Sequence, residues 1–322
     1  MLKSTRRTIL ALSLAAGIMP ATAQEKVGVV TDAGFLGRHA FFFVAADKGY
    51  YRDSGLEVSV LRGQGSAEVV KQVGAGSATF GFADAASAVL ARANDNVPVR
   101  LVAIVYARPP QAIYALKSSG ISKPTDLEGR RIANPAGGAI PKLFPAYAKA
   151  AGIDESKVRW VVASSESLPG MLALGRVDAV GQFTVGEPRL RKDAEGKELV
   201  ELAYADAGLD FYSNGIVVSE ETIKSKPDLV QRFVTATLKG LKYALDNPAE
   251  AAEIMKKYHR ELDQELGAAE LLKVRQLAVM PGTALGKIDL RRAQGTIDIV
   301  AGAFTLKAPA KIRDVFDDSF VK

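Results

Sequence analysis

The chain has 322 residues, 42 basic against 36 acidic side chains, two histidines and no cysteine. The missing cysteine excludes thiolate metal sites and cysteine nucleophiles, and two histidines make a transition-metal protein a poor fit. If the chain is exported it also has no disulfides, so packing must supply its stability.

The first residues have the layout of an export signal. Lys3, Arg6 and Arg7 form a positive start, Thr8 to Met19 a short apolar run, and Ala21-Thr22-Ala23 a small-x-small cleavage site. The run is shorter than the ~20 residues a membrane span needs. STRRTIL resembles a twin-arginine signal, but paired basic residues are also common in ordinary signals, so both export routes stay open. Cleavage near Ala23 implies a periplasmic product. It lowers the charge from +6 by the three basic residues lost, to +3, so nucleic acid is not an expected partner.

After that the chain alternates. VGVVTD (27–32) reads as a strand, 38–52 as a helix, LEVSVL (56–61) as a strand, and AEVVKQVGAG as a helix with Ser66 as a possible cap. SATFGFAD (77–84), a helix from AASAVLARAND, and VRLVAIVYA (99–107) follow. This order predicts a parallel sheet with helices on both faces. A second set begins at QAIYAL (111–116). Thr125 to Glu128 fits a capping box, and RRIAN, VRWVVA, VDAVGQF and FYSNGIVVS read as strands. From Pro227 the chain is mainly helical, with Asn247-Pro248-Ala249-Glu250 as a helix start. Residues 58–82 and 158–183 share one plan of strand, small polar loop, helix, glycine, strand. The expected fold class is therefore α/β and two-lobed, each lobe a mostly parallel sheet flanked by helices, with the ligand cleft between. Residues 24–110 form the first lobe, 111–211 the second, and 212–322 return to the first.

Enzyme motifs are missing: no G-x-S-x-G elbow, no complete G-x-G-x-x-G, no GK[ST] loop. His259 sits in KKYHRELD, a stretch that reads as solvent-facing. No cofactor and no metal are expected. What remains is a set of loops beyond strand ends, where α/β folds bind ligands: residues 32–39, 63–66, 83–87 and 106–108 in the first lobe, 134–140, 164–167 and 182–187 in the second. They supply Arg38, His39, Gly65, Ser66, Asp84, Ser87, Arg108, Gly137, Gly138, Ser165, Ser167 and Glu187 as candidate ligand contacts. Phe35, Phe183 and Tyr212 add aromatic walls, with Phe82 and Tyr106 nearby. Phe35 fits a ligand stack or a hydrophobic staple equally. Ser66 and Ser87 fit helix caps as well as contacts, and Glu187 fits a helix-dipole partner as well as a hydrogen-bond acceptor. Phe41–Phe43 point in different directions around a helix and read as core.

HAFFFVAADKGYYRDSGLEVSV resembles the start of mature substrate-binding proteins of ABC importers, in the branch with nitrate, sulfonate, taurine and thiamine-pyrimidine-precursor binders. The resemblance continues through VVKQVGAGSATFGFADAAS, KPTDLEGRRIA, LALGRVDAV and KPDLVQRFVTATLKGLKYALDNPAEA. It implies a type II-like periplasmic binding fold, a monomer that closes on a small solute and docks on a membrane permease served by a cytoplasmic ATPase. It also implies ring stacking by aromatics and pairing of a pyrimidine with an acid at the place of Glu187. The cysteine-rich motif of the related pyrimidine synthases is missing. A planar or pyrimidine-like solute is the expected ligand, with sulfonate or nitrate as the alternative. A secreted enzyme with a carboxylate site and a solute sensor are the readings of another class.

Overall fold

The computed structural model describes residues 24–322 apart from 33, 136–138 and 165–166. The expected export signal, Gly137, Gly138 and Ser165 lie outside the described residues. In chain order the first set is β1 (Glu25–Val30), α1 (Ala40–Asp47), α2 (Tyr50–Asp53), β2 (Leu56–Leu61), α3 (Ser66–Gly74), β3 (Phe80–Asp84), α4 (Ala85–Asp95) and β4 (Val99–Ile104). The second set is β5 (Gln111–Leu116), β6 (Arg131–Asn134), α5 (Ala139–Ala151), β7 (Arg159–Val162), α6 (Leu168–Ala173), β8 (Ala179–Phe183), α7 (Glu187–Asp193) and β9 (Leu199–Ala203). β10 (Asn214–Ser219), α8 (Glu220–Ser225), α9 (Pro227–Asp246), α10 (Pro248–Tyr258), α11 (Gln264–Ala278) and α12 (Leu290–Ala303) complete the main elements.

Two five-stranded sheets result, in the orders β2-β1-β3-β10-β4 and β7-β6-β8-β5-β9. In each, four strands run one way and a single strand, β10 or β5, runs against its neighbours. Each sheet is thus mostly parallel, as expected, but mixed, with one reversed strand that the strand–helix alternation does not predict. The reversed strand is in both cases the first one the chain lays down after crossing from the other sheet. It enters from the far side, so it runs backwards and inserts beside the third βα strand. Central strands are buried throughout, as in QAIYAL, while the edge strand LEVSVL alternates.

Three local differences have local causes. The helix expected over 38–52 divides into α1 and α2 because Gly49 takes φ +75°, a left-handed conformation that interrupts the helical ladder. The cap expected at Thr125 falls on Lys123, where Asp126 accepts the Ser122 and Lys123 N–H groups instead. β9 has no counterpart in the sequence reading.

The first core is aromatic. Phe41, Phe42 and Phe43 are buried, as expected, and Phe80 stacks on Phe233 at 3.8 Å. α1 lies directly on α9 because Gly240 leaves room. A Cβ there would come within 2.5 Å of the Phe41 carbonyl oxygen and 2.7 Å of Ala45 Cβ. Helix propensity alone favours Gly→Ala by about 1 kcal/mol, but overpacking a rigid contact costs about 1–3 kcal/mol. The clash is with backbone, so the steric cost should win. Gly240→Ala is expected to lower the urea unfolding midpoint; a raised midpoint would show that α1 and α9 can separate freely.

Candidate functional site

Between the two sheets lies a cavity of about 610 Å³, within the ~300–1,000 Å³ usual for small-molecule sites. The first sheet's side supplies Asp32, Arg38, Gly65, Ser66, Lys71, Asp84 and Ser87. The second sheet's side supplies Asn134, Ile140, Lys142, Leu168, Gln182 and Phe183, and Phe304 after α12 closes one end. These positions follow from strand direction: β1, β3, β6 and β8 all end there, and α3 and α4 begin there.

Asp84 caps α4. Its carboxylate accepts the Ser87 N–H at 2.9 Å and the Ser87 hydroxyl at 2.7 Å, while its own N–H donates to Ser66 Oγ at 3.1 Å. Neither serine is itself an N-cap: Gly65 precedes α3 and Asp84 caps α4. The two serines fix the loops, and they line the cavity.

At its base, Asp32 follows β1 and is buried. Its Oδ1 accepts from His39 Nε2 at 2.6 Å, and its Oδ2 from Asn214 Nδ2 at 2.9 Å. The Leu36 N–H donates to His39 Nδ1 at 3.2 Å, which places the ring proton on Nε2, facing Asp32. Burial pushes the Asp32 carboxyl up, but Arg38, His39 and Asn214 together hold it below its ordinary 3.8. Burial outweighs Asp32 at His39 and pushes the imidazole below 6.5, so it stays neutral. Arg38 lies 3.9 Å from Asp32, and its main-chain N–H donates to buried Glu270 on α11 at 3.1 Å. Burial raises the Glu270 carboxyl.

Several expected contacts stand elsewhere. His39 is completely buried behind Asp32, not on the cavity wall. Phe35 is a staple: its ring packs on His259 at 4.0 Å and edge-on to Phe43 at 5.5 Å, under the Arg62 guanidinium. His259 is accordingly half-buried among aromatics rather than facing solvent. Arg108 is exposed, with Nε 3.2 Å from the Met280 sulfur. Tyr212 is buried and lines a separate cavity of about 90 Å³, its hydroxyl accepting the Asp289 N–H. Ser167 precedes α6 and donates to the Ser164 carbonyl. Glu187 is buried at the start of α7, paired with Arg191 four residues on and with Lys273 of α11, off the cavity lining. Arg38, Gly65, Ser66, Asp84, Ser87 and Phe183 do line the cavity. Sequence reasoning named the loops holding Asp32, Asn134 and Gln182 without singling those residues out. Phe304 gave no signal, because it follows a helix far along the chain.

Two mixed α/β sheets with a cavity between them are a periplasmic-binding-protein fold. The aliphatic sulphonate binding protein SsuA of Escherichia coli shares it, with a TM-score of 0.74 and 12% identity over 92% of this chain and 94% of its own. The chain belongs to the NMT1/THI5-like family, whose model matches residues 37–251. Riboflavin-binding protein RibY of Chloroflexus aurantiacus is 28% identical over 87% of this chain and 81% of its own. The formylaminopyrimidine-binding protein of Halalkalibacterium halodurans is 25% identical over 91% and 90%. A protein of Legionella pneumophila named 4-amino-5-hydroxymethyl-2-methylpyrimidine phosphate synthase is 28% identical over 67% and 68%.

A hydrogen bond to a charged partner is worth about 1.5–3 kcal/mol, so His39→Gln should destabilise by roughly that much at pH 7. The pH dependence has a definite sign. His39 is depressed in the fold, so its neutral form's contribution is complete above 6.5 and fades as pH falls towards its folded value. Asp32 adds a loss below 3.8. Glu270, raised in the fold, works oppositely: its contribution is full below 4.5 and is lost as pH rises through its folded value. Comparing wild type with His39→Gln isolates the first term. The stability gap, measured by urea unfolding, should narrow as pH drops below 6.5; a gap independent of pH would mean that His39 is not held neutral.

Proposed function

We propose that the protein is the extracytoplasmic solute-binding component of an ABC importer. It captures a small planar, partly apolar solute by hinge closure and delivers it to a membrane permease with its cytoplasmic ATPase. The observation that carries the reading is the cavity walled from both sheets. A solute touching both walls has higher affinity for the closed form, and that differential affinity sets the population shift. Residues 24–110 with 212–322, and 111–211, serve as the two moving lobes. Arg38, Gly65, Ser66, Asp84, Ser87 and Phe183 serve as contacts.

The names of the riboflavin-binding and formylaminopyrimidine-binding relatives support a planar ring. So do the aromatic rings of Phe183 and Phe304 among the lining residues. The export signal read in residues 1–23 supports a periplasmic location, and no described helix is long and apolar enough to cross a membrane. A sulfonate-type anion is the second reading, favoured by Arg38, Lys71 and Lys142 on the walls. Asp32, Asp84 and Asp95 offset that charge. The synthase relative raises turnover, but no cysteine is available here and Glu187 is already ion-paired.

Thermal unfolding with riboflavin, formylaminopyrimidine, ethanesulfonate and nitrate tests the reading, since a ligand of the folded form raises Tm. Riboflavin or formylaminopyrimidine should raise it, and mass spectrometry should recover that compound unchanged. Phe183→Leu, which keeps apolar volume but loses the ring, should weaken binding about three- to tenfold with little change in the unliganded Tm. No shift with any compound, or chemical conversion of the bound one, would count against a carrier.

A further inference from the structure

We propose that Asn134, seated by Gly181, is the donor-sensing group of the cleft, and that with Arg38 it selects a neutral solute carrying both an N–H donor and a hydrogen-bond acceptor, against oxyanions. The inference rests on the solute-binding reading. Asn134 ends β6 and is 5% exposed. Its Nδ2 donates to the Gly181 carbonyl at 3.0 Å, which fixes which side of the amide is oxygen. Gly181 is what admits the amide, because a Cβ there would stand 2.4 Å from Asn134 Nδ2. Oδ1 is left buried with no hydrogen-bond partner among the described residues, on a residue that lines the cavity. A buried carbonyl oxygen needs a donor, and a solute N–H supplies one.

Arg38 presents the complementary need from the other sheet's side. Its Nε is buried and likewise unpartnered among the described residues. Its guanidinium stands 3.9 Å from Asp32, whose two oxygens accept from His39 and Asn214. Asp32 thus keeps Arg38 charged without occupying its N–H groups, which remain free for a solute carbonyl or ring nitrogen. An oxyanion can satisfy Arg38 only. It leaves Asn134 Oδ1 unpaired and faces the carboxylates of Asp32, Asp84 and Asp95.

Isothermal titration calorimetry of the exported chain decides this, with uracil and riboflavin each set against its N-methylated counterpart, and with ethanesulfonate. The N–H form of at least one pair should bind about tenfold or more tightly than its methylated form. Asn134→Leu should bring the two forms within about threefold, and Arg38→Lys should weaken both alike. Should Asn134→Leu fail to fold by circular dichroism, Asn134→Ser takes its place, with the same narrowing expected. Equal binding of the methylated form, or an N–H preference that survives Asn134→Leu, overturns the inference. Tightest binding by ethanesulfonate overturns it while leaving a solute-binding protein intact, and no heat with any compound overturns both.

Discussion

The ionised carboxylate of Asp32 is the constraint around which the cleft is built. A buried charge is tolerated only when paired and hydrogen-bonded, and the partners of Asp32 come from two distant parts of the chain, the adjacent Arg38 and His39 and, far along it, Asn214. His39 ends the loop that leads into α1, Asn214 opens β10, and Arg38 lies over the cavity. Satisfying Asp32 therefore fixes the loop after β1, the register of the returning strand, and the placement of a cationic group facing the solute. Arg38 is also tied by its main chain to Glu270, so the same network reaches α11. The polar floor and the topology are one arrangement. If β10 did not insert beside β3, Asp32 would lose Asn214.

Much of the fold was legible because its signals are local. Among the described residues, nine of the ten strands were readable as apolar runs, Phe41–Phe43 as a helix buried all round, and the repeated plan of 58–82 and 158–183 as two similar halves. What was not legible is non-local. Nothing in NGIVVS states that it runs antiparallel between β3 and β4, because that depends on which side of the molecule the chain returns from. The family resemblance was readable for the same reason as the strands: it rests on ordered short segments.

The site was legible at the level of loops and less so at the level of side chains. Ser66, Asp84 and Ser87 form one interlocked cap that also walls the cavity. Sequence offered Ser66 and Ser87 as caps, but the cap is Asp84, and the two hydroxyls bond to it instead. Glu187 shows the opposite error. Its i,i+4 partner Arg191 is visible in EPRLR, and that spacing on a helix is an ion-pair signal. Asn134 was missed because an amide says nothing by itself. Its meaning comes from Gly181, 47 residues away, which engages its nitrogen and leaves its oxygen over.

The proposed closure has to be reconciled with a third connection between the halves. The two crossover segments, 105–110 and 208–213, are obvious places for bending, but α12 packs on α4 and on α5, one from each half. At its start, Arg292 donates to the Ala107 carbonyl on one crossover and pairs with Asp210 on the other, with its guanidinium over the Tyr212 ring. At its end, Phe304 forms part of the cavity wall and packs against one hydrophobic cluster from each half. Relative movement of the sheets must therefore repack α12 as well as turn the crossovers. A solute that packs on Phe304 acts on the same helix that clamps the hinge. In the proposed closure, cleft occupancy and hinge geometry would thereby be coupled through one packed element instead of through two flexible linkers alone.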